Sequence, residues 1–174
     1  MHKFTLDEID SMAGLLSDLD QETADETIQA FHVNQPFLLA YLIGVGETLD
    51  DTDDIDSLIL LCIMSWMLYK SKNPELPSVS DISVLENEER ILAEIDSMDE
   101  LGHEIEPDTP QKIKQVTDKW KKDYHQPHLF NYIADEVTSL FDAEDRGTIL
   151  ATLIIIMDAL QEVSDKTTPT SPTN

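Results

Sequence analysis

The residue types best suited to metal chemistry lie close together near position 125. Asp123, His125 and His128 fall within six residues, and carboxylates and imidazoles are ligands for zinc and iron. His125 precedes a helix that is predicted to begin at Pro127, and His128 lies in the first turn of that helix, so the spacing is a weak match to a metal site. These three residues are the metal candidates that an enzymatic function for this chain would use.

The basic residues are concentrated in one predicted helix, over about 110–124. Its apolar stripe, which includes Trp120 and Tyr124, turns the lysines outward or towards an acidic neighbour. Two interpretations stay open: charge pairing inside the protein, or a docking patch for an acidic partner. Five of the 11 basic residues belong to this set, namely Lys112, Lys114, Lys119, Lys121 and Lys122.

Four residues interrupt strongly apolar stretches. Cys62 lies within the run 58–64, which predicts a buried thiol and, as the only cysteine, excludes an internal disulfide. Asp158 interrupts the apolar segment near the C-terminus, which predicts a position at the rim of the core. The alternative is a buried carboxylate, which would need hydrogen-bond partners. Gly44 and Gly46 fall inside a predicted helix and indicate a close approach to a neighbouring helix.

The charge of the chain excludes one large functional class. Its 36 acidic and 11 basic residues give a formal net charge of −25 over 174 residues, and no Lys or Arg occurs between Lys3 and Lys70. A nucleic-acid binder needs a basic face, and anionic membranes repel such a chain. We therefore expect neither nucleic acid nor membrane as a partner. With no apolar leader segment at the N-terminus, the expected location is the cytoplasm.

The hydrophobic periodicity is helical almost throughout and predicts an all-α fold. Thr5, Thr23 and Ser83 each precede a glutamate by three residues, the pattern of a capping box at a helix start. Pro36 and Pro110 suit the first position of a helix, where no N–H is needed. The predicted helices span about 6–19, 24–33, 36–49, 53–71, 83–101, 110–124, 127–140 and 145–164.

An internal repeat organises these helices. The segment that begins at Gln35 matches the one that begins at Gln126 at a constant offset of 91 residues, in a Gln-Pro motif, a following Leu and Tyr, and the next apolar helix. We therefore predict a single domain over 1–165 with two similar four-helix halves, about 1–72 and 80–165, and a disordered tail over 166–174. The fourth and eighth helices should form the centre of a bundle. The alternative is a short α-solenoid of helical hairpins.

No glycine pair has the spacing of a phosphate-binding loop, and no catalytic set stands out. We therefore expect no cofactor and a non-catalytic, acidic helical domain that binds another protein; the net negative charge favours a basic partner. A homo-oligomer stays open. The alternative is a metal-dependent enzyme with its site around Asp123, His125 and His128.

Overall fold

The computed structural model describes residues 3–49, 52–99 and 110–167, and those residues form eight helices and no strand. The predicted all-α fold is confirmed. The helices are α1 (Leu6–Ser17), α2 (Gln21–Asn34), α3 (Pro36–Gly46), α4 (Thr52–Lys72), α5 (Asp81–Asp99), α6 (Pro110–Asp123), α7 (Pro127–Leu140) and α8 (Arg146–Thr167).

The helix starts depend on which side chain caps the first turn. The capping box at Thr5 forms as predicted, with both of its hydrogen bonds. The boxes predicted at Thr23 and Ser83 are wrong, because an earlier side chain takes the cap. Asp20 accepts a hydrogen bond from the backbone N–H of Thr23 at 2.9 Å, and Ser80 accepts one from that of Ser83 at 3.1 Å. Both helices therefore begin earlier than predicted.

The centre of the bundle is the pair α4 and α8. These helices pack against each other, and each also contacts α7 and α3. Cys62 of α4 is buried as predicted, together with Leu58, Leu61 and Trp66. Because both helices carry apolar residues on most of their circumference, only a position inside the bundle removes that surface from water.

The apolar character of α8 raises the question of a membrane span. It is the one helix in the described ranges that is long and apolar enough to cross a bilayer by length and composition, and 72% of its most apolar stretch is buried inside the fold. The central helix of a globular bundle meets the same criterion, so this property is weak evidence for a membrane.

The helix contacts distinguish the bundle from the solenoid. The first helix, α1, packs against the seventh, α7. In a solenoid each unit contacts only its neighbours along the chain. The contact between α1 and α7 closes the bundle and excludes that alternative.

The neighbours of α3 and α7 correspond in the way that a duplication produces. α3 contacts α4, α2, α5 and α8, whereas α7 contacts α8, α6, α1 and α4. Exchanging the two predicted halves converts one set into the other. The duplication itself stays a prediction.

Gln35 and Gln126 have corresponding roles before the prolines of α3 and α7. Both are buried. Gln35 accepts a hydrogen bond from the backbone N–H of Val79, which lies just before α5, at 2.8 Å. Gln126 accepts one from the backbone N–H of Phe4, which lies just before α1, at 3.1 Å. Each glutamine thus fixes the entry to the first helix of the other half.

The two glycines of α3 differ in their surroundings. A Cβ on Gly46 would lie 2.8 Å from Cγ1 of Ile55 in α4, so the predicted close approach is correct there. A Cβ on Gly44 would meet nothing within 4 Å, so that prediction is wrong at Gly44. The reason is the helical periodicity, which turns Gly44 towards solvent while Gly46 points at α4.

The C-terminal boundary also differs from the prediction. Lys166 and Thr167 belong to α8 rather than to a disordered tail. The hydroxyl of Thr167 donates to the backbone carbonyl of Val163 at 3.2 Å, one turn earlier. Residues 168–174 and the acidic connection over 100–109 lie outside the described residues.

Candidate functional site

The short connection between α6 and α7 carries the predicted metal ligands. Asp123 ends α6, and His128 is the second residue of α7. Both side chains are exposed, whereas His125 between them is half-buried. Within the described ranges, no group of three or more His, Cys, Asp or Glu side chains is placed to share a metal ion. Asp123, His125 and His128 are all described and do not form a shared set of metal ligands.

His125 contacts a carboxylate on one side and an aromatic ring on the other. Its Nδ1 lies 3.6 Å from Oδ1 of Asp158, and its ring centroid lies 4.3 Å from that of Tyr124. Its Nε2 is buried and finds no hydrogen-bond partner among the described residues. Burial lowers the pKa of His125, although the charge of Asp158 opposes this effect. The neutral imidazole is the form that this environment favours.

Asp158 joins three segments of the bundle. Its Oδ1 accepts a hydrogen bond from the Tyr124 hydroxyl at 2.6 Å, and its Oδ2 accepts one from the guanidinium of Arg90 in α5. Burial raises the pKa of Tyr124, so its hydroxyl stays a donor. The carboxylate that interrupts α8 is thereby paired with a cation and hydrogen-bonded, as a buried charge must be.

The same side of α8 carries further buried polar contacts. Gln161 accepts hydrogen bonds from Gln126 at 2.8 Å and from the Tyr69 hydroxyl at 3.3 Å. Glu162 accepts hydrogen bonds from Ser83 at 2.8 Å and from Asn87 at 3.1 Å. These bonds connect α8 to α4, α5 and the start of α7. The polar cluster around His125 therefore belongs to a network that holds the helices together.

Three of the five lysines of α6 have described side chains, and these three do not pair with other described residues. Lys119, Lys121 and Lys122 are exposed, and none of the three forms an ion pair or hydrogen bond with a described residue. Glu94 of α5, which could have met them, instead accepts the indole N–H of Trp120 at 2.9 Å. The side chains of Lys112 and Lys114 lie outside the described residues.

A second candidate site lies where α3 meets α5. The Tyr41 hydroxyl donates to Oε1 of Glu88 at 3.0 Å and links the two helices. Phe37 lies four residues before Tyr41, and Leu85 and Leu92 lie three before and four after Glu88, so all three flank this bond. They are 47%, 54% and 51% exposed. We call this surface, made of Phe37, Leu85, Leu92 and the linking pair, the α3–α5 seam.

The outer face of α3 extends this apolar surface. α3 contains no charged residue, and a helix that is apolar all round is normally buried all round. Here Phe37 and Ile43 are about half exposed, and Ala40 and Gly44 are also exposed. At the offset of 91, the same face of α7 is polar. The residues that replace Phe37, Ala40 and Gly44 are His128, Asn131 and Asp135.

Beneath the seam is a cavity of about 530 Å³ between α3, α5, α6 and α8. Apolar side chains form most of its wall, among them Val45, Ile95, Leu150 and Ile155. This volume is within the range of sites that bind small molecules.

Comparison of the chain with known protein families, with curated proteins and with solved structures finds no match. Its function must therefore be argued from its own residues.

The sequence did not indicate the residues of the seam. Tyr41 and Glu88 are 47 positions apart, and a bond between them requires α3 and α5 to be neighbours. The signal that was present is the absence of charge from α3, because an exposed amphipathic helix carries polar residues on its outer face. Arg90 was also missed as the partner of Asp158, since a buried carboxylate predicts a partner but not which one.

Proposed function

We propose that this protein is a non-catalytic docking domain that binds a basic, amphipathic helix of another protein on the α3–α5 seam. The observation that carries this proposal is the exposure of Phe37, Leu85 and Leu92 around the Tyr41–Glu88 bond. Exposed apolar clusters with a polar rim are typical of protein–protein interfaces. An apolar helix face that lies against such a cluster is a common mode of recognition.

The charge around the seam supports a basic partner. α3 carries no charge, and Arg90, the only basic residue of α5, is engaged with Asp158. The exposed face of α5 adds glutamates, including Glu86 and Glu89. A basic helix would gain attraction at this rim, whereas a second copy of this chain would place acid against acid. The charge complementarity therefore favours another protein over a homodimer.

The test is a titration of the ¹⁵N-labelled protein with a helical peptide of leucine and lysine. The comparison peptide has the same leucines with glutamate in place of lysine. We expect the basic peptide to shift the amide signals of α3 and α5 and to bind more weakly as salt rises. Equal binding of both peptides, or shifts confined to other helices, would contradict the proposal.

Variants of exposed residues separate the seam from the rest of the surface. Phe37→Ser and Leu85→Ser should each weaken binding of the basic peptide about tenfold, because each removes an apolar contact of the seam. Ile28→Ser and Val33→Ser make similar changes at exposed positions of α2. We expect these two controls to bind like the wild-type protein.

The alternative function is a metal-dependent enzyme that uses His125. The observation in its favour is the buried Nε2, which has no hydrogen-bond partner among the described residues. Metal analysis of the purified protein tests it. One equivalent of zinc or iron that is lost in His125→Ala, but kept in the exposed control His32→Ala, would favour this function over the docking domain.

A further inference from the structure

The described residues that line the cavity beneath the seam carry one sign of charge. Glu88 and Glu144 are the only side chains with a formal charge among the described residues that line it, and no described Lys, Arg or His joins them. The remaining polar groups of the wall include the Tyr41 hydroxyl and the threonines 117, 148 and 152.

The Tyr41–Glu88 pair contributes a phenol hydroxyl and a carboxylate to the wall of the cavity. Tyr41 donates to one oxygen of Glu88, and burial raises the pKa of Tyr41, with the Glu88 charge adding to the effect. The phenol therefore keeps its proton and holds the carboxylate in place. The second oxygen of Glu88 stays available to a ligand, and Glu144 adds a further negative charge from the connection before α8.

Other lining residues of the cavity are apolar. Ile95, Leu150 and Ile155 supply aliphatic surface, and Trp120 supplies an aromatic ring. Burial of apolar ligand surface here would be favourable, and an aromatic ring attracts a cation as well. A ligand that matches both the carboxylates and the apolar part of the wall must combine an apolar body with a positive charge.

We propose that this cavity binds a small organic cation, a protonated amine on an aromatic or branched aliphatic body. An anionic ligand would meet two carboxylates of its own sign. A neutral ligand would remove the Glu88 carboxylate from water without supplying a charge to compensate for its lost hydration. This proposal does not depend on the docking function.

Three probes of similar shape and different charge test the proposal on the full chain. Tryptamine is the cation, tryptophol is its neutral counterpart, and indole-3-propionate is the anion. Isothermal titration calorimetry should give at least tenfold tighter binding of tryptamine than of tryptophol, with the anion weakest. Amide shifts should map tryptamine to residues of α3, α5 and α8 that line the cavity.

Matched variants assign the charge to Glu88. Glu88→Gln keeps an oxygen that can accept from Tyr41 but removes the negative charge, and should weaken tryptamine binding about tenfold. Glu26→Gln makes the same change at an exposed position of α2 that does not line the cavity and should leave binding unchanged. Ala151→Phe places a ring in the cavity and should reduce binding of every probe. Its amide spectrum should first show that the variant is folded.

Several results would overturn the proposal. Equal binding of the three probes would show that charge does not select the ligand, and equal affinity in Glu88→Gln and the wild type would remove Glu88 from the site. A third result would combine two findings: none of the three probes binds at millimolar concentration, and Ala151→Phe perturbs the amide signals of 100–109. The cavity would then be assigned to that connection instead.

Discussion

The two buried glutamines show how single polar residues position whole helices. The side chain of Gln35 accepts from the Val79 N–H at 2.8 Å and donates to the Pro77 carbonyl at 3.0 Å. Val79 is buried, so its N–H cannot reach water if Gln35 is removed. A buried amide without a hydrogen-bond partner is costly. The exit of the chain towards α5 therefore depends on one side chain that precedes α3.

This dependence predicts the effect of removing the amide. Gln35→Leu has a similar volume but no hydrogen-bonding groups, so it should lower the free energy of unfolding by about 1–3 kcal/mol. Urea unfolding followed by circular dichroism measures the change. Gln29→Leu, at an exposed position of α2, is the matched control. A loss of similar size in both variants would show that the hydrogen bonds of Gln35 are not the cause.

The burial of His125 predicts that this residue makes the stability of the protein depend on pH. Burial holds its pKa below the ordinary value of 6.5, so at mildly acidic pH the unfolded chain binds more protons than the folded one. Its contribution to stability is fully present above about pH 6.5 and is lost as the pH falls below that value. Among the neighbouring charges, Asp158 and Asp165 favour the protonated ring, whereas Arg90 and Lys3 oppose it.

The measurement compares urea midpoints of the wild type and His125→Gln between pH 7.5 and 5.5. The wild type should lose more stability than the variant on acidification, by up to about 1.4 kcal/mol for each unit of pKa difference. His128→Gln, at an exposed position, should follow the wild type. Parallel pH profiles of the wild type and His125→Gln would rule out this role for the buried ring.

At the scale of the elements, the approach of α3 to α4 depends on Gly46. Its missing Cβ leaves room for Ile55 of α4, whose branched side chain would lie 2.8–3.2 Å from the added atom. Because Ile55 is branched next to the backbone, it cannot move aside without shifting α4. The spacing between these helices is therefore sensitive to one methyl group.

The pair Gly44 and Gly46 offers a matched test. Gly46→Ala should destabilise the protein by about 1–3 kcal/mol, because the methyl group overpacks the contact. Gly44→Ala meets open space and should stabilise it by up to about 1 kcal/mol through helix propensity. Thermal unfolding of the two variants should therefore move in opposite directions. A gain in both would mean that α4 yields freely to the added methyl.

At the scale of the whole molecule, the net charge of −25 sets the response to salt. Repulsion among like charges is stronger in the compact state than in the expanded one. The ion pairs formed in the described part of the chain, Lys72 with Glu8 and Arg90 with Asp158, are few against this excess. Repulsion should therefore dominate the local attractions.

We expect the free energy of unfolding to rise with sodium chloride from low salt to about 0.5 M, because the Debye length falls from about 30 Å at 0.01 M towards a few ångströms at 1 M. Urea melts at several salt concentrations measure the change, with potassium chloride as a check that the effect is screening. A midpoint that falls with salt would show that the paired charges outweigh the net charge.

The sequence was sufficient to predict the positions of the helices because the signals that start and end a helix are local. The apolar periodicity, the prolines at the start of α3 and α7 and the capping box at Thr5 act within a few residues. They predicted eight helices with boundaries close to those in the structure. The errors at α2 and α5 also have a local origin, since Asp20 and Ser80 were alternative caps in the same stretch of sequence.

The candidate sites were decided by the tertiary structure. The sequence placed His125 beside Asp123 and His128, but the packing of α8 paired it with Asp158, 33 positions away. The Tyr41–Glu88 bond and the cavity below it exist only because α3, α5, α6 and α8 meet there. Helical periodicity shows which face of a helix is apolar, but not which other helix covers that face. Contacts between distant segments arise from how all the helices fill the core together.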